Sequence, residues 1–202
     1  PPLMLASLFG GGLIIFWFLV SYALSYQGID ELIRAIFGSE FNHSVVSFLI
    51  FLPHGVRVIA VYFGGWRAVP PLFVAHLLLY QLFSGMPPPN THLVLALLGS
   101  LCPYIAFEAM RISNLNAYYR LDQPGLRRNQ FGPPLLAGIL AAILNALGSL
   151  AFFLFFGPEP RGLSFYFGYL LGDILGLLII LGILFTISRA TDMIFKSQKD
   201  GD

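Results

Sequence analysis

The chain has 202 residues, 57% hydrophobic and only 10% charged, with a mean hydropathy of +0.78 and a net charge of +1. A soluble domain carries roughly 25% charged residues, so this composition describes an integral membrane protein with short loops. No basic cluster is present to hold a nucleic acid, and the single cysteine, Cys102, excludes an intrachain disulfide and a cysteine-based zinc site.

The elements follow from the apolar runs, since a transmembrane helix needs about 20 mostly apolar residues. The sequence opens Pro1-Pro2 without a methionine, so a leader or further residues are expected to precede it, and no basic n-region or cleavage site is visible. The first span is Leu5–Tyr26, with Gly10-Gly11-Gly12 near its start. Between Gln27 and Ser44, the apolar residues Leu32, Ile33, Ile36 and Phe37 form one face, which predicts a short helix lying in the interface. The second span, Val45–Trp66, carries Pro53, His54, Gly55 and Arg57 within five positions, which predicts a break inside the membrane around a fixed positive charge. Trp66 and Arg67 are expected to anchor its end at the interface. The third span is Ala68–Leu82, with Pro70-Pro71 in its first turn, where proline is tolerated. The fourth is His92–Met110, kinked at Pro103. A polar loop, Arg111–Gln130, leads to the fifth span, Pro133–Phe156, and the sixth is Ser164–Ser188. The expected fold is an all-α integral membrane protein of about six transmembrane helices, with one broken span and an interfacial helix. It forms a single transmembrane domain over residues 1–188, followed by a short cytoplasmic tail over 189–202.

Arg67, Arg111, Arg120, Arg127, Arg128, Arg189, Lys196 and Lys199 fall on the face holding the termini, and only Arg34 and Arg161 on the other. Basic residues favour the cytoplasmic side, so both termini are expected in the cytoplasm, at a bacterial inner membrane. With this threading His54, Arg57, His76, Asn145 and Asp173 share a similar depth, and Glu108 lies nearer the cytoplasmic end. Intramembrane charges face the bundle interior and pair there. Arg57 is therefore expected to pair with Asp173, with Glu108 as second candidate. The set can be read as a polar cavity for a ligand, ion or proton, or as an internal salt bridge that fixes helix packing. Gly168, Gly172 and Gly176 form one small-residue stripe beside Asp173, expected to allow close helix contact.

No nucleotide loop, nucleophile elbow or HExxH zinc motif is present, so no catalytic residues are expected. No metal-ligand spacing relates the four histidines, and no cofactor or metal is expected. His54 and His76, on adjacent spans at similar depth, leave haem geometrically conceivable, and a pigment is the other cofactor to weigh.

The run Pro53-His-Gly-Val-Arg-Val-Ile-Ala-Val-Tyr-Phe-Gly-Gly-Trp-Arg-Ala-Val-Pro-Pro71 resembles the bacterial membrane-associated sensor domain, the first-class MASE family. Phe167-Gly-Tyr-Leu-Leu-Gly-Asp-Ile-Leu-Gly176 and Leu136-Ala-Gly-Ile-Leu-Ala-Ala-Ile-Leu-Asn-Ala-Leu-Gly148 are similar to other helices of that family. The resemblance covers Val45 to Leu184. It implies a multi-helix membrane fold, a sensing or docking role, and a shared core at Pro53–Arg57 and Gly172-Asp173. Family members usually have more spans and a cytoplasmic signalling output. Here His54 and Arg57 stand where small or apolar residues are usual, and the tail after Ser188 leaves no room for an enzyme.

The expected function is thus a non-enzymatic sensor-like or binding module acting through a partner protein. The alternatives are an accessory or structural subunit of a larger membrane complex and a small substrate-capturing transporter subunit. The partners implied are the lipid bilayer, another membrane protein and a small-molecule ligand, with no nucleic acid.

Overall fold

In the computed structural model the described residues are 2–25, 31, 50–83, 89–115, 117–119, 131–156 and 162–199. They form helices and the turns between them: α1 (Pro2–Ala23), α2 (Leu52–Gly64), a 3-10 turn (Gly65–Ala68), α3 (Val69–Phe83), α4 (Pro89–Ile112), α5 (Gly132–Phe156) and α6 (Leu163–Lys199). Among the described residues, four helical runs are long and apolar enough to cross a membrane: Leu52–Leu82, Asn90–Ile112, Gly132–Phe156 and Leu163–Thr191. The all-helical membrane architecture expected from composition is therefore present. The predicted interfacial helix falls almost entirely outside the described residues.

Leu52–Leu82 is not one straight rod. Arg57 Nη1 lies 3.5 Å from His76 Nε2, whereas 19 residues of straight helix would separate the two by about 28 Å. The chain doubles back at Gly65, whose φ of 55° and ψ of −138° suit a residue without Cβ. End-to-end contacts give the remaining directions. Ser25, after α1, meets Leu52 at the start of α2, and Gly11 faces Pro71 at the start of α3. Tyr80, late in α3, stacks on His92, early in α4. Phe131, just before α5, meets Phe185 of α6. The helices thus alternate in direction. One end of the bundle, called here the near end, holds the α2–α3 turn, Arg67, Arg111 and Arg189. The far end holds the starts of α2, α4 and α6.

Pro53 corrects the expectation of a broken span. It occupies the first turn of α2, where its missing N–H costs nothing, and Pro53 to Arg57 is continuous helix. Ile50 and Phe51, just ahead of the helix, are non-helical, and the rest of the expected span before them, residues 45–49, lies outside the described residues. Phe51 provides no side-chain cap. Instead Ser25 Oγ, on another element, accepts the N–H of Leu52 at 3.0 Å and donates to the Ser21 carbonyl at 2.9 Å. An orphan donor of the first turn is thereby satisfied from outside the helix. Gly55 is a contact point rather than a loosened turn, because a Cβ there would come within 2.7 Å of Ile180. Pro103 lies inside α4, whose helical assignment runs unbroken from Pro89 to Ile112. The Pro70-Pro71 and Pro133-Pro134 pairs sit in first turns, as their sequence context implies.

The near half of the interior is apolar. Val58, Val61, Leu72, Phe107, Ala137 and Leu177 are fully buried there. At roughly 25 cal/mol per Å² of apolar surface, such burial gives a soluble core most of its stability. In lipid the gain comes instead from close packing, which suits the many alanines on α5's inner face: Ala137, Ala141, Ala142 and Ala146.

Candidate functional site

Above that apolar half, α2, α3, α5 and α6 each deliver polar side chains to one point. The sequence places them by register. Arg57 follows His54 by three positions, so both lie on one face of α2. His76 is level with them because α3 returns beside α2 after the Gly65 turn. Asn145 and Asp173 meet because α5 and α6 run antiparallel. His54 and Asp173 are fully buried, and Arg57 is only 1% exposed.

Arg57 is the hub. Its Nη2 lies 3.5 Å from Asp173 Oδ1 and 3.0 Å from His54 Nδ1. Its Nη1 donates to the Gly99 carbonyl of α4 at 3.2 Å and faces His76 Nε2 at 3.5 Å. The guanidinium carbon lies 5.7 Å from the centroid of the Phe51 ring, a cation–π distance. Asp173 Oδ2 accepts from Asn145 Nδ2 at 3.0 Å, and the same amide also donates to Tyr169 Oη at 3.1 Å. His54 Nδ1 is 3.3 Å from that same Oδ2. His54 Nε2 faces the Gly138 carbonyl at 3.0 Å, and His76 Nδ1 faces the Leu72 carbonyl at 2.8 Å.

The guanidinium is permanently charged and Asp173 is its only acidic neighbour among the described residues, so the pair supplies the compensation a buried charge requires. The expected Arg57–Asp173 pairing is present, and His54, His76 and Asn145 join it. Glu108, the second candidate for Arg57, lies elsewhere. It sits at the near end of α4, where Arg111 captures it at 2.6 Å and Tyr118 Oη donates to it at 2.7 Å. Its own helix offers a cation three residues away, closer than any partner across the bundle. Outside the spans, burial and the hydrogen bond to Glu108 push the Tyr118 phenol upward from its usual range.

Of the glycine stripe, Gly172 and Gly176 are in contact with α2. The N–H of Phe51 donates to the Gly172 carbonyl at 3.0 Å, and a Cβ at Gly176 would collide with the Phe51 carbonyl. A Cβ at Gly168 would meet nothing within 4 Å. Residues not expected in the polar set complete the site: Gly99, Gly138, Phe51 and Tyr169. Two act through backbone carbonyls, which leave no signature in side-chain identity. Tyr169 was legible as the residue one turn before Asp173 on the same face. No group of histidine, cysteine or carboxylate residues suited to a metal occurs among the described residues, and all four ring nitrogens of His54 and His76 face protein partners.

No curated protein and no solved structure matches the chain. The MASE1 family model matches residues 32–199, a range that includes every member of the buried cluster. The chain therefore belongs to the MASE1 family of membrane-associated sensor domains.

Proposed function

We propose that the chain is a non-enzymatic sensing module of a bacterial cytoplasmic membrane that crosses the bilayer six times and acts through a partner protein. The observation that carries this reading is the cluster of Arg57, Asp173, His54 and His76, which ties α2, α3, α4 and α6 together at one buried point. A signal that alters any one of these contacts alters the mutual position of several helices. α6 suits the relay of such a change. Its 37 residues make a helix of about 55 Å, well beyond the ~30 Å hydrocarbon layer.

Six crossings are supported by the alternating helix directions, with Leu52–Leu82 contributing two arms that turn at the interfacial Trp66-Arg67. Arg67, Arg111 and Arg189 gather at the near end, which supports a cytoplasmic location for that end. A C-terminal reporter active only outside the cytoplasm would overturn this orientation.

The functional test is crosslinking in native membranes followed by purification. Wild-type chain brings down a stoichiometric protein partner, and the Asn145→Ala and Asp173→Asn variants, compared at equal folded yield, change the crosslink pattern. A wild-type chain that purifies alone, or that turns over a substrate unaided, overturns the proposal. The closure of the cluster favours a second reading, a static lock in an accessory subunit. The variants would then lower stability and leave the crosslinks of the folded fraction unchanged.

A further inference from the structure

The side chains of the cluster are buried, and their hydrogen-bond roles leave one proton undetermined. A carbonyl can only accept, so His54 Nε2 donates to Gly138 and His76 Nδ1 donates to Leu72. A guanidinium can only donate, so His76 Nε2 is an acceptor toward Arg57. His76 is thereby fixed as a neutral ring. His54 Nδ1 is not fixed. It lies 3.0 Å from Arg57 Nη2, which requires a lone pair there, and 3.3 Å from Asp173 Oδ2, which requires a proton there. The two demands exclude each other. Without the extra proton, Arg57 donates to His54, and two lone-pair-bearing atoms of His54 and Asp173 face one another. With it, His54 donates to Asp173, and the Arg57 Nη2 contact becomes donor against donor and must open.

The geometry points to a proton-binding site at His54 Nδ1, shared with Asp173 Oδ2, whose occupancy decides whether Arg57 holds or releases His54. The balance is simple: one proton enters, the Nη2–H···Nδ1 bond breaks, an Nδ1–H···Oδ2 bond forms, and the cluster goes from net neutral to +1. Arg57 keeps its Gly99 and His76 contacts on Nη1, so the displacement is of Nη2, away from His54 Nδ1. The Arg57 Nε and Asp173 Oδ1 atoms make no hydrogen bond, so the rearranged pair can form one at Oδ1, which already lies 3.5 Å from Nη2.

Among the described residues, the groups facing the site from each packed element are few. α2 gives His54 and Arg57, α3 gives His76 and Tyr80, and α6 gives Asp173 and Tyr169. From α4 come Cys102 and the Gly99 carbonyl, from α5 Asn145, and from α1 the ring of Phe18 against His76. Only His54 combines an undetermined proton with an acidic neighbour. The surroundings are also asymmetric. Toward the near end lie the dry side chains of Val58, Val61, Leu72, Phe107 and Leu177. Toward the far end lie the half-buried Tyr169, reaching Asp173 through Asn145, and the stacked Tyr80 and His92.

The site's role as a signal input rests on the sensing function proposed above, but proton binding does not need a partner and is tested without one. The full chain in lipid nanodiscs, with histidine rings labelled in 15N, is titrated over ~pH 8 to 5, where histidines change charge. One ring, identified by its loss in His54→Gln, gains a second N–H proton, and the His76 ring keeps a single one. The Asp173 carboxylate stretch in the infrared shifts in step in the same wild-type sample, so the result stands even where Asp173→Asn fails to fold. A His54 ring unchanged over the whole range, or one that titrates with no response from the carboxylate, overturns the proton site while leaving a sensor of another signal intact. A titrating His54 with a pH-indifferent partner crosslink upholds the site and overturns its sensing role.

Discussion

Gly176→Ala and Gly168→Ala add the same methyl group to the same helix, eight residues apart, and the structure assigns them opposite outcomes. At Gly176 the new Cβ meets the Phe51 carbonyl and comes within 2.8 Å of Leu52 N. These are backbone atoms at the start of α2, so no rotamer change relieves the collision. Overpacking of this kind costs typically 1–3 kcal/mol. Pushing Phe51 away also weakens its N–H bond to Gly172, worth about 1 kcal/mol. Against this, alanine in a helix interior gains up to ~1 kcal/mol over glycine. The net is a destabilisation of about 2 kcal/mol, roughly 30-fold in the folded-to-unfolded ratio. Gly168→Ala keeps only the propensity gain, because a Cβ there meets nothing within 4 Å, and is neutral to ~1 kcal/mol stabilised. Denaturant unfolding in detergent micelles, followed by far-UV circular dichroism, separates the two. Equal behaviour of the two variants would refute the claim that the stripe makes its contact at Gly172 and Gly176.

Asp173→Asn leaves Arg57 buried without a counterion and lowers stability by roughly 3–5 kcal/mol, whereas the double change Arg57→Met with Asp173→Leu recovers most of that loss, since apolar replacement of a whole buried pair is often neutral; the same unfolding assay, run as a double-mutant cycle, reads the coupling. Gly99→Ala places a Cβ 2.7 Å from His76 Nε2 and 2.9 Å from Arg57 Nη1, so it disturbs the 15N signals of both histidine rings in the cluster and costs about 1–3 kcal/mol. Because the Tyr118 phenol is shifted upward in the folded chain, the folded state holds its proton longer than the unfolded state. Stability therefore falls as pH rises above about 10, the unfolded tyrosine value, and Tyr118→Phe flattens that alkaline slope in thermal melts. Arg111→Ala removes the surface ion pair with Glu108 and leaves the melting temperature nearly unchanged, in contrast to Asp173→Asn.

The depth of the polar residues was legible because membrane spans turn sequence position into height. Counting from span ends put His54, Arg57, His76, Asn145 and Asp173 at one level, and opposite sign then selected Arg57 with Asp173. The same count could not show that Glu108 is taken by Arg111, although their three-residue spacing carried that information. Pro53 was misread because proline marks both helix interiors that kink and first turns that begin. The choice depends on whether Ile50 and Phe51 are helical, which the sequence of a uniformly apolar run does not encode. Gly99 and Gly138 were invisible as hydrogen-bonding members of the site because their contribution is a carbonyl, and every residue has one; Gly172 was marked instead by its place in the glycine stripe beside Asp173.

The composition of the cluster bears on why it exists at all. A bundle that needed only stability at this level would be as well served by leucine and methionine, since desolvating an arginine and an aspartate offsets most of their attraction. Arginine, unlike lysine, cannot escape the cost by losing its proton. Its charge is therefore a constant of the site, and Asp173 is its acidic partner there. With those two fixed, the variable element is the imidazole that touches both. His54 reaches that position only because α2 begins at Leu52 on a cap borrowed from α1 and because α6 has no side chain at Gly176 to hold it off. The start of α2, the glycine contact with α6 and the histidine that faces two incompatible partners are thus one arrangement. A change in α2's starting position relative to α6 moves His54 relative to Asp173, and protonation of His54 acts back on the same contact by releasing Arg57.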